Sequence, residues 1–485
     1  MGSDIRYEGS REGGPDRPNI LFILMDDMGW MDLGCQGSTF YETPVLDRLA
    51  RDGMRFTDAY AACPVCSPTR ASLLSGKYPA RNGVTDWIDH DGSFHPCYGK
   101  RMDAPYHHHL PHSETSLAQA LREGGYQTWH VGKWHLGKRS HYPETHGFEV
   151  NVGGCHWGHP AQGYFSPYGI ETLPEGPEGE YLTDRLTDEA IRLLRDRDRT
   201  KPFFLNLWHY AVHTPIEAKP EDVRYFEEKA RCLGLDTHDC MEAGEPFPTE
   251  QKRHLRVTRR RLQSDPAYAA MIRNLDENTG RVLQALVDDG LDGNTLVVFT
   301  SDNGGLATAE GSPTCNAPLA EGKGWMAEGG VREPLLVRWP GMVAPGSCCG
   351  TPVTSPDFYP TLLEAAGLPL RPEQHQDGMS FLPLLRGESM VRGPIFWHYP
   401  HYGNQGGTPG SAMREGVWKL VEDEETGTCR LFDLSDDVGE AHDLADAQPE
   451  RARCMRQQLE AWRQDVGAIR SQPRRSEKRT GSATT

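Results

Sequence analysis

Five short apolar runs punctuate the chain, and between them apolar positions recur every three or four residues. The runs Asn19–Met25, Gln127–Val131, Phe203–Trp208, Thr295–Thr300 and Leu335–Arg338 do not alternate apolar with polar. Strands of that kind are buried on both faces, as in parallel sheets covered by helices. The periodic segments Pro44–Asp52, Ser116–Glu123, Thr183–Asp196, Tyr268–Asp289 and Ser355–Ala366 supply the covering helices. The pattern predicts an α/β fold built on a large, mostly parallel sheet flanked by helices.

Beyond about Val391 the texture changes. Three short aromatic-rich segments, Ile395–Tyr399, Ser411–Val421 and Cys429–Leu434, predict a small antiparallel sheet, followed by a helix from about Pro449 to Ile469. The expected organisation is a flexible tail over 1–17, a main domain over 18–390, a C-terminal subdomain over 391–470 and a disordered tail over 471–485. No internal repeat is present.

Charge narrows the partners. With 69 acidic against 51 basic residues, the formal net charge of −18 repels polyanions, so nucleic acid is not expected. No apolar run approaches the roughly 18 residues that span a bilayer. The polar stretch Met1–Pro18 does not resemble a signal peptide. The expected location is cytoplasmic, or exported if a native signal has been removed. Twelve cysteines spread over 485 residues do not form a disulfide scaffold, although the Cys232 and Cys240 spacing permits one bridge.

In open α/β sheets, ligands bind where loops leave the carboxyl ends of strands. Polar groups follow four of the runs: Asp26-Asp27, Gly132-Lys133-Trp134-His135, His209 with His213, and Asp302-Asn303. The densest chemistry lies in Cys63-Pro64-Val65-Cys66-Ser67-Pro68-Thr69-Arg70. Cys66 opens a helix, with Ser67 able to cap it and Pro68 suited to its first turn. A side chain at 66 then faces the positive end of the helix dipole with Arg70 one turn along, which suits an anion.

Cys66-Ser67-Pro68-Thr69-Arg70, extended by Leu73-Leu74-Ser75-Gly76, resembles the Cys-x-Pro-x-Arg signature of the type I sulfatases in the alkaline phosphatase superfamily. Gly132-Lys133-Trp134-His135-Leu136-Gly137 resembles their second signature, and the likeness runs from Pro18 to about Leu444. It implies an alkaline phosphatase-like fold and hydrolysis of a sulfate monoester. It further implies that a maturation enzyme oxidises Cys66 to formylglycine, whose hydrate is the nucleophile.

Matched residue by residue, Asp26, Asp27, Asp302 and Asn303, with residue 66, look like the family's metal site. All-oxygen ligands suit Ca²⁺, with Mg²⁺ the alternative. Arg70, Lys133, His135, His213 and Lys323 look like its catalytic set. In that reading His135 takes a proton from the group at 66, while His213 and Lys323 assist departure of the alcohol. Three carboxylates against a divalent cation and three basic side chains leave the pocket positive, so an acidic protein still suits a small anion. His156, Trp157, His398, His401 and Arg414 are candidate contacts to a sugar or aryl group, and packing explains them equally well.

Several features carry plainer readings. Cys63-Pro64-Val65-Cys66 also reads as C-x-x-C, but no second pair completes a zinc site, and Cys63 is expected to pack. His107-His108-His109 with His112 reads as a polar surface loop. The competing functions are a phosphonate monoester or phosphodiester hydrolase with the same aldehyde, a non-catalytic binding protein and a thiol redox protein.

Overall fold

Asn19–Met25 is buried along its whole length at the middle of a nine-stranded sheet. The computed structural model describes residues 17–89 and 97–474. Across the sheet the order is Ser347–Cys349, Met54–Tyr60, Arg332–Arg338, Thr295–Ser301, Asn19–Met25, Phe203–Trp208, Gln127–Gly132 and Val150–Val152. Val353–Thr354 also pairs with Met54–Tyr60. Arg332–Arg338 runs antiparallel to both neighbours, whereas the remaining pairings are parallel.

Register sets the position of the chemistry. Met25 lies opposite Ser301, Leu24 opposite Trp208, and Trp208 opposite Gly132. Four strands therefore end within a residue of one another, and their next residues emerge on one rim.

The predicted runs form strands, with two differences. Leu335–Arg338 extends back to Arg332 and reverses the local direction. Met54–Tyr60, absent from the sequence reading, joins the sheet beside it. This strand alternates buried Met54 and Phe56 with half-buried Arg55 and Thr57, so it lacks a continuous apolar run. It carries the chain from the sheet to Cys66. The helix Pro220–Cys232 was also not anticipated, because its apolar stripe is thin, with only Phe226 and Ala230 buried.

At the C-terminal end, Ile395–Tyr399, Gly410–Glu415, Trp418–Asp423 and Cys429–Asp433 form a four-stranded antiparallel sheet, and Pro449–Asp465 is the helix. The expected single segment Ser411–Val421 is instead a hairpin, turning at Gly416 with φ of 60°. One face packs Trp397, Tyr399, Ala412 and Phe432 against Tyr60, Cys63, Val65 and Met326. The other packs Met413, Leu420 and Leu431 against Met455 and Leu459 of the helix. Burial on both faces joins this sheet to the residues just before Cys66.

Buried ions stitch the same seam. Lys419 is buried, with Nζ 2.9 Å from Glu328 and 3.0 Å from Glu440.

Part of the expected C-terminal tail is ordered. Ser471 is buried and Gln472–Pro473 pairs with Arg101–Met102, while 475–485 lie outside the described residues. The expected N-terminal tail, apart from Arg17, also lies outside them. Cys232 and Cys240 are separate free thiols.

Candidate active site

The helix Cys66–Ser75 begins at Cys66 and is buried at every position. Val65 is its N-cap, and Ser67 does not cap it as expected. Instead, Ser67 Oγ donates to the His135 carbonyl at 2.9 Å and accepts from the Ile88 N–H at 3.0 Å. Ser67 thereby pins two loops beside residue 66. Arg70, one turn along, directs its guanidinium to Asp302, with Nε and Nη2 each 2.8 Å from Oδ2. Its Nη1 donates to the Lys133 carbonyl at 2.9 Å.

Asp26 and Asp27 leave the central strand and Asp302 and Asn303 its neighbour; all four are buried. Asp27 has φ of 62° and His135 of 59°, a left-handed backbone that non-glycine residues adopt at a cost of order 1 kcal/mol or more. Such strain at two converging strand ends marks a site held in place by its surroundings.

Each acidic group has a basic partner. Lys133 Nζ lies 2.6 Å from Asp26, and Lys323 Nζ 2.7 Å from Asp27. His213 Nε2 stands 3.6 Å from the same Asp27 oxygen. Asn303 Nδ2 donates to the other Asp27 oxygen at 2.8 Å. Burial pushes the Asp27 carboxyl up, but Lys323, His213 and Lys133 outweigh it and hold it well below the usual carboxylate range. Burial alone would lower Lys323, and Asp27 reverses that direction.

His135 presents Nδ1 to Cys66 Sγ at 3.3 Å, while Nε2 lies 2.6 Å from the Ile88 carbonyl. Burial and the Lys133 charge hold this imidazole well below its ordinary pKa, and burial raises the Cys66 thiol. The pair is therefore neutral, with a basic nitrogen aimed at residue 66.

The donor set fits a hard divalent cation. Asp26, Cys66 and Asp302 offer ligand atoms within 4.8 Å of one another, as do Asp26, Asp27 and His213. Asp26 Oδ1 and Asn303 Oδ1 are buried without a hydrogen-bond donor. Two orphaned oxygens facing a cluster of carboxylates are stabilised by a cation and costly without one. Burial pushes the Asp26 carboxyl up despite Lys133, and a cation would favour its ionised form.

A family model described as Sulfatase matches residues 18–368, and one described as N-sulphoglucosamine sulphohydrolase, C-terminal, matches 322–465. The chain belongs to the sulfatase family. It is a sulfuric ester hydrolase. A sulfatase of Formosa agariphila is 33% identical, over 92% of this chain and 88% of its own length. The N-acetylgalactosamine-6-sulfatase of Homo sapiens is 34% identical, over 80% of this chain and 69% of its own. The crystal structure of Ps i-CgsB in complex with k-i-k-neocarrahexaose superposes with a TM-score of 0.75 at 29% identity, covering 93% of both chains.

Above Cys66 the sulfatase opens into a cavity of about 250 Å³. Three of the expected substrate contacts lie away from it. His398 is buried, with Nδ1 2.8 Å from Ser411 Oγ and Nε2 3.0 Å from the Ile469 carbonyl. Arg414 pairs with Asp58 at 2.7 Å. His401 is fully buried, with Nε2 2.9 Å from Thr85 Oγ1. His398 is taken up inside the C-terminal subdomain, and Arg414 and His401 by the packing of that subdomain against the main domain. His156 is set back, 2.9 Å from the Tyr142 hydroxyl, and the Trp157 ring lies beside it.

The cavity is lined instead by Trp87, Gly158, His159, Glu310, Asn404 and Gln405, besides Cys66, His135, His213 and Lys323. Trp87 and Glu310 carry no spacing signal. His159 lies two residues beyond the predicted Trp157. His109 and His112 meet His141 of the short helix Arg139–His141, the His141 ring stacked on His112 with centroids 4.4 Å apart and tilted to His109 at 4.0 Å, and none of the three lines this cavity.

Proposed function

We propose that the protein hydrolyses a carbohydrate sulfate monoester, using an aldehyde made from Cys66 and a Ca²⁺ ion held by Asp26, Asp27, Asp302 and Asn303. One observation carries the reading: the residue 66 side chain meets a neutral, basic His135 nitrogen on one side and a cluster of carboxylates on the other. That is the environment in which an oxygen nucleophile on residue 66 loses a proton. A carbohydrate alcohol is favoured by the relatives named for N-acetylgalactosamine 6-sulfate and by the carrageenan-oligosaccharide complex.

When present, the hydrated aldehyde supplies an oxygen nucleophile and the cation supplies positive charge to it and to the sulfate oxygens. His135 accepts a proton at Nδ1 from the oxygen on residue 66, and its Nε2–H stays on Ile88. Arg70 holds Asp302 Oδ2 through Nε and Nη2 and adds fixed positive charge beneath the anion. Lys133 does the same for Asp26. Lys323 Nζ, at Asp27, donates to the departing alcohol oxygen, while His213, whose Nδ1–H is committed to the Thr214 carbonyl at 2.8 Å, presents Nε2 beside it. A maturation enzyme that acts on Cys66 before folding is required, because the thiol is buried in the native fold.

The test pairs a mass with a rate. Peptide mass across Cys66 is expected to fall by about 18 Da on conversion to the aldehyde. Protein carrying that mass releases sulfate from N-acetylgalactosamine 6-sulfate, and Cys66→Ala does not. Equal rates for the two proteins would sink the proposal. A higher kcat/KM on an aryl phosphonate monoester than on its sulfate would favour the phosphonate hydrolase instead.

A further inference from the structure

The cavity above Cys66 has a cationic floor and an acidic rim. Lys323 is the one lysine or arginine among the described residues that line it, and Glu310 the one carboxylate. Glu310 is exposed, yet two features keep it from trailing in solvent. Its backbone sits in the left-handed region, φ 53°, and Gln405 Nε2 donates to its Oε1 at 3.1 Å. Gln405 is itself buried, its carbonyl accepting from Thr308 Oγ1 at 3.1 Å and Trp325 Nε1 at 3.0 Å. A fixed amide thus aims an exposed carboxylate across the mouth.

Two nearby cations outside the lining already have partners. Lys252 Nζ donates to the Asn404 carbonyl at 3.1 Å and to its Oδ1 at 3.3 Å. Arg259 pairs with Glu245 and Glu321. Among the described residues that line the cavity, none but Lys323 is a lysine or arginine, and Lys323, Lys133 and Arg70 serve the sulfate below.

We propose that Glu310 is a specificity-determining residue, which selects sulfate esters of uncharged, hydroxyl-bearing sugars and rejects those with a second sulfate or a carboxylate beside the scissile group. This inference rests on the sulfatase reading above and names the class of alcohol that the site takes. A carboxylate accepts hydrogen bonds from neighbouring hydroxyls, two at a time where they are vicinal, and these charge-assisted bonds are strong. The Trp87 side chain lines the same mouth and offers an apolar wall to the C–H face of a pyranose. An anionic substituent at the same place meets Glu310 at short range. In the nearly water-like dielectric around an exposed carboxylate, that repulsion lowers kcat/KM about five- to tenfold.

The experiment uses the full chain carrying the aldehyde, as wild type, Glu310→Gln and Gln405→Leu. Sulfate release is measured on a 4-nitrophenyl galactoside 6-sulfate and on the same galactoside bearing a second sulfate on a neighbouring hydroxyl. Wild type is expected to prefer the monosulfate. Glu310→Gln is expected to shrink that preference about five- to tenfold, mainly through KM, with the difference fading at high salt. Gln405→Leu, which keeps the charge and frees its aim, loses part of the preference. A ratio of the two kcat/KM values that stays within twofold of wild type in Glu310→Gln overturns this inference alone. Aldehyde-bearing wild type that releases sulfate from neither galactoside nor from 4-nitrophenyl sulfate overturns the underlying reading, and the inference with it.

Discussion

The Nε2 atom of His135 lies 2.6 Å from the carbonyl oxygen of Ile88. A carbonyl only accepts, so this contact commits the ring proton to Nε2 and leaves the Nδ1 lone pair facing Cys66. Burial, which holds the imidazole well below its ordinary pKa, keeps that nitrogen available at neutral pH. His135→Ala is expected to lower kcat by about 10²- to 10⁴-fold, the usual share of a positioned base. Steady-state kinetics on aldehyde-bearing protein check this, and an unchanged kcat would remove His135 from the chemistry.

A cation at the proposed site is expected to stabilise the fold, because Asp26 Oδ1 and Asn303 Oδ1 are buried without a hydrogen-bond donor. Adding Ca²⁺ to chelator-treated protein is expected to raise stability by about 2.7 kcal/mol at a free concentration 100 times Kd. Asn303→Leu should shrink that gain, as read by thermal denaturation against Ca²⁺ concentration. An undiminished shift in the variant would exclude Asn303 as a ligand.

Lys419 is shared by Glu328 and Glu440 inside the seam between the two sheets. Lys419→Met leaves buried Glu440 without a cation and Glu328 with Arg332 at 3.4 Å as its remaining ion-pair partner, and is expected to cost about 3–5 kcal/mol. Combining it with Glu328→Gln and Glu440→Gln should recover much of the loss. Urea denaturation of the single and triple variants decides the matter, and a neutral single variant would contradict it.

Two histidines inside the fold make it sensitive to acid. Burial lowers His130 to about 3 and His209 to about 4. Unfolded histidine takes up a proton near pH 6.5, whereas these two resist until the pH nears their lowered values. Their contribution is therefore fully present above pH 6.5 and lost as pH falls toward 4. At pH 5 the loss is roughly 2 kcal/mol for each. His209→Gln should make the slope of stability against pH shallower between 7 and 5, measured from urea midpoints, and an unaltered slope would refute the assignment.

Some of this protein is determined locally and can be read along the chain. Buried strands need unbroken apolar runs, so Asn19–Met25 and Phe203–Trp208 have the predicted bounds. The residues after such strands can only emerge at their carboxyl ends, so the sequence alone puts Asp26, Lys133 and Asp302 on one rim. Cys66 and Arg70 share a helix face through 3.6-residue periodicity alone.

The mouth of the cavity follows a different rule. Glu310 and Gln405 meet across 95 positions of chain, and neither has a neighbour in sequence that foretells it. His398, His401 and Arg414 were expected beside the substrate, yet both faces of the C-terminal sheet are covered and those side chains are consumed in the packing. The strand Met54–Tyr60 was invisible because its half-buried face broke the apolar run. Periodicity and motif spacing encode which way a side chain points from its own element. Which elements close over one another is set by long-range burial, and that alone decided what surrounds residue 66.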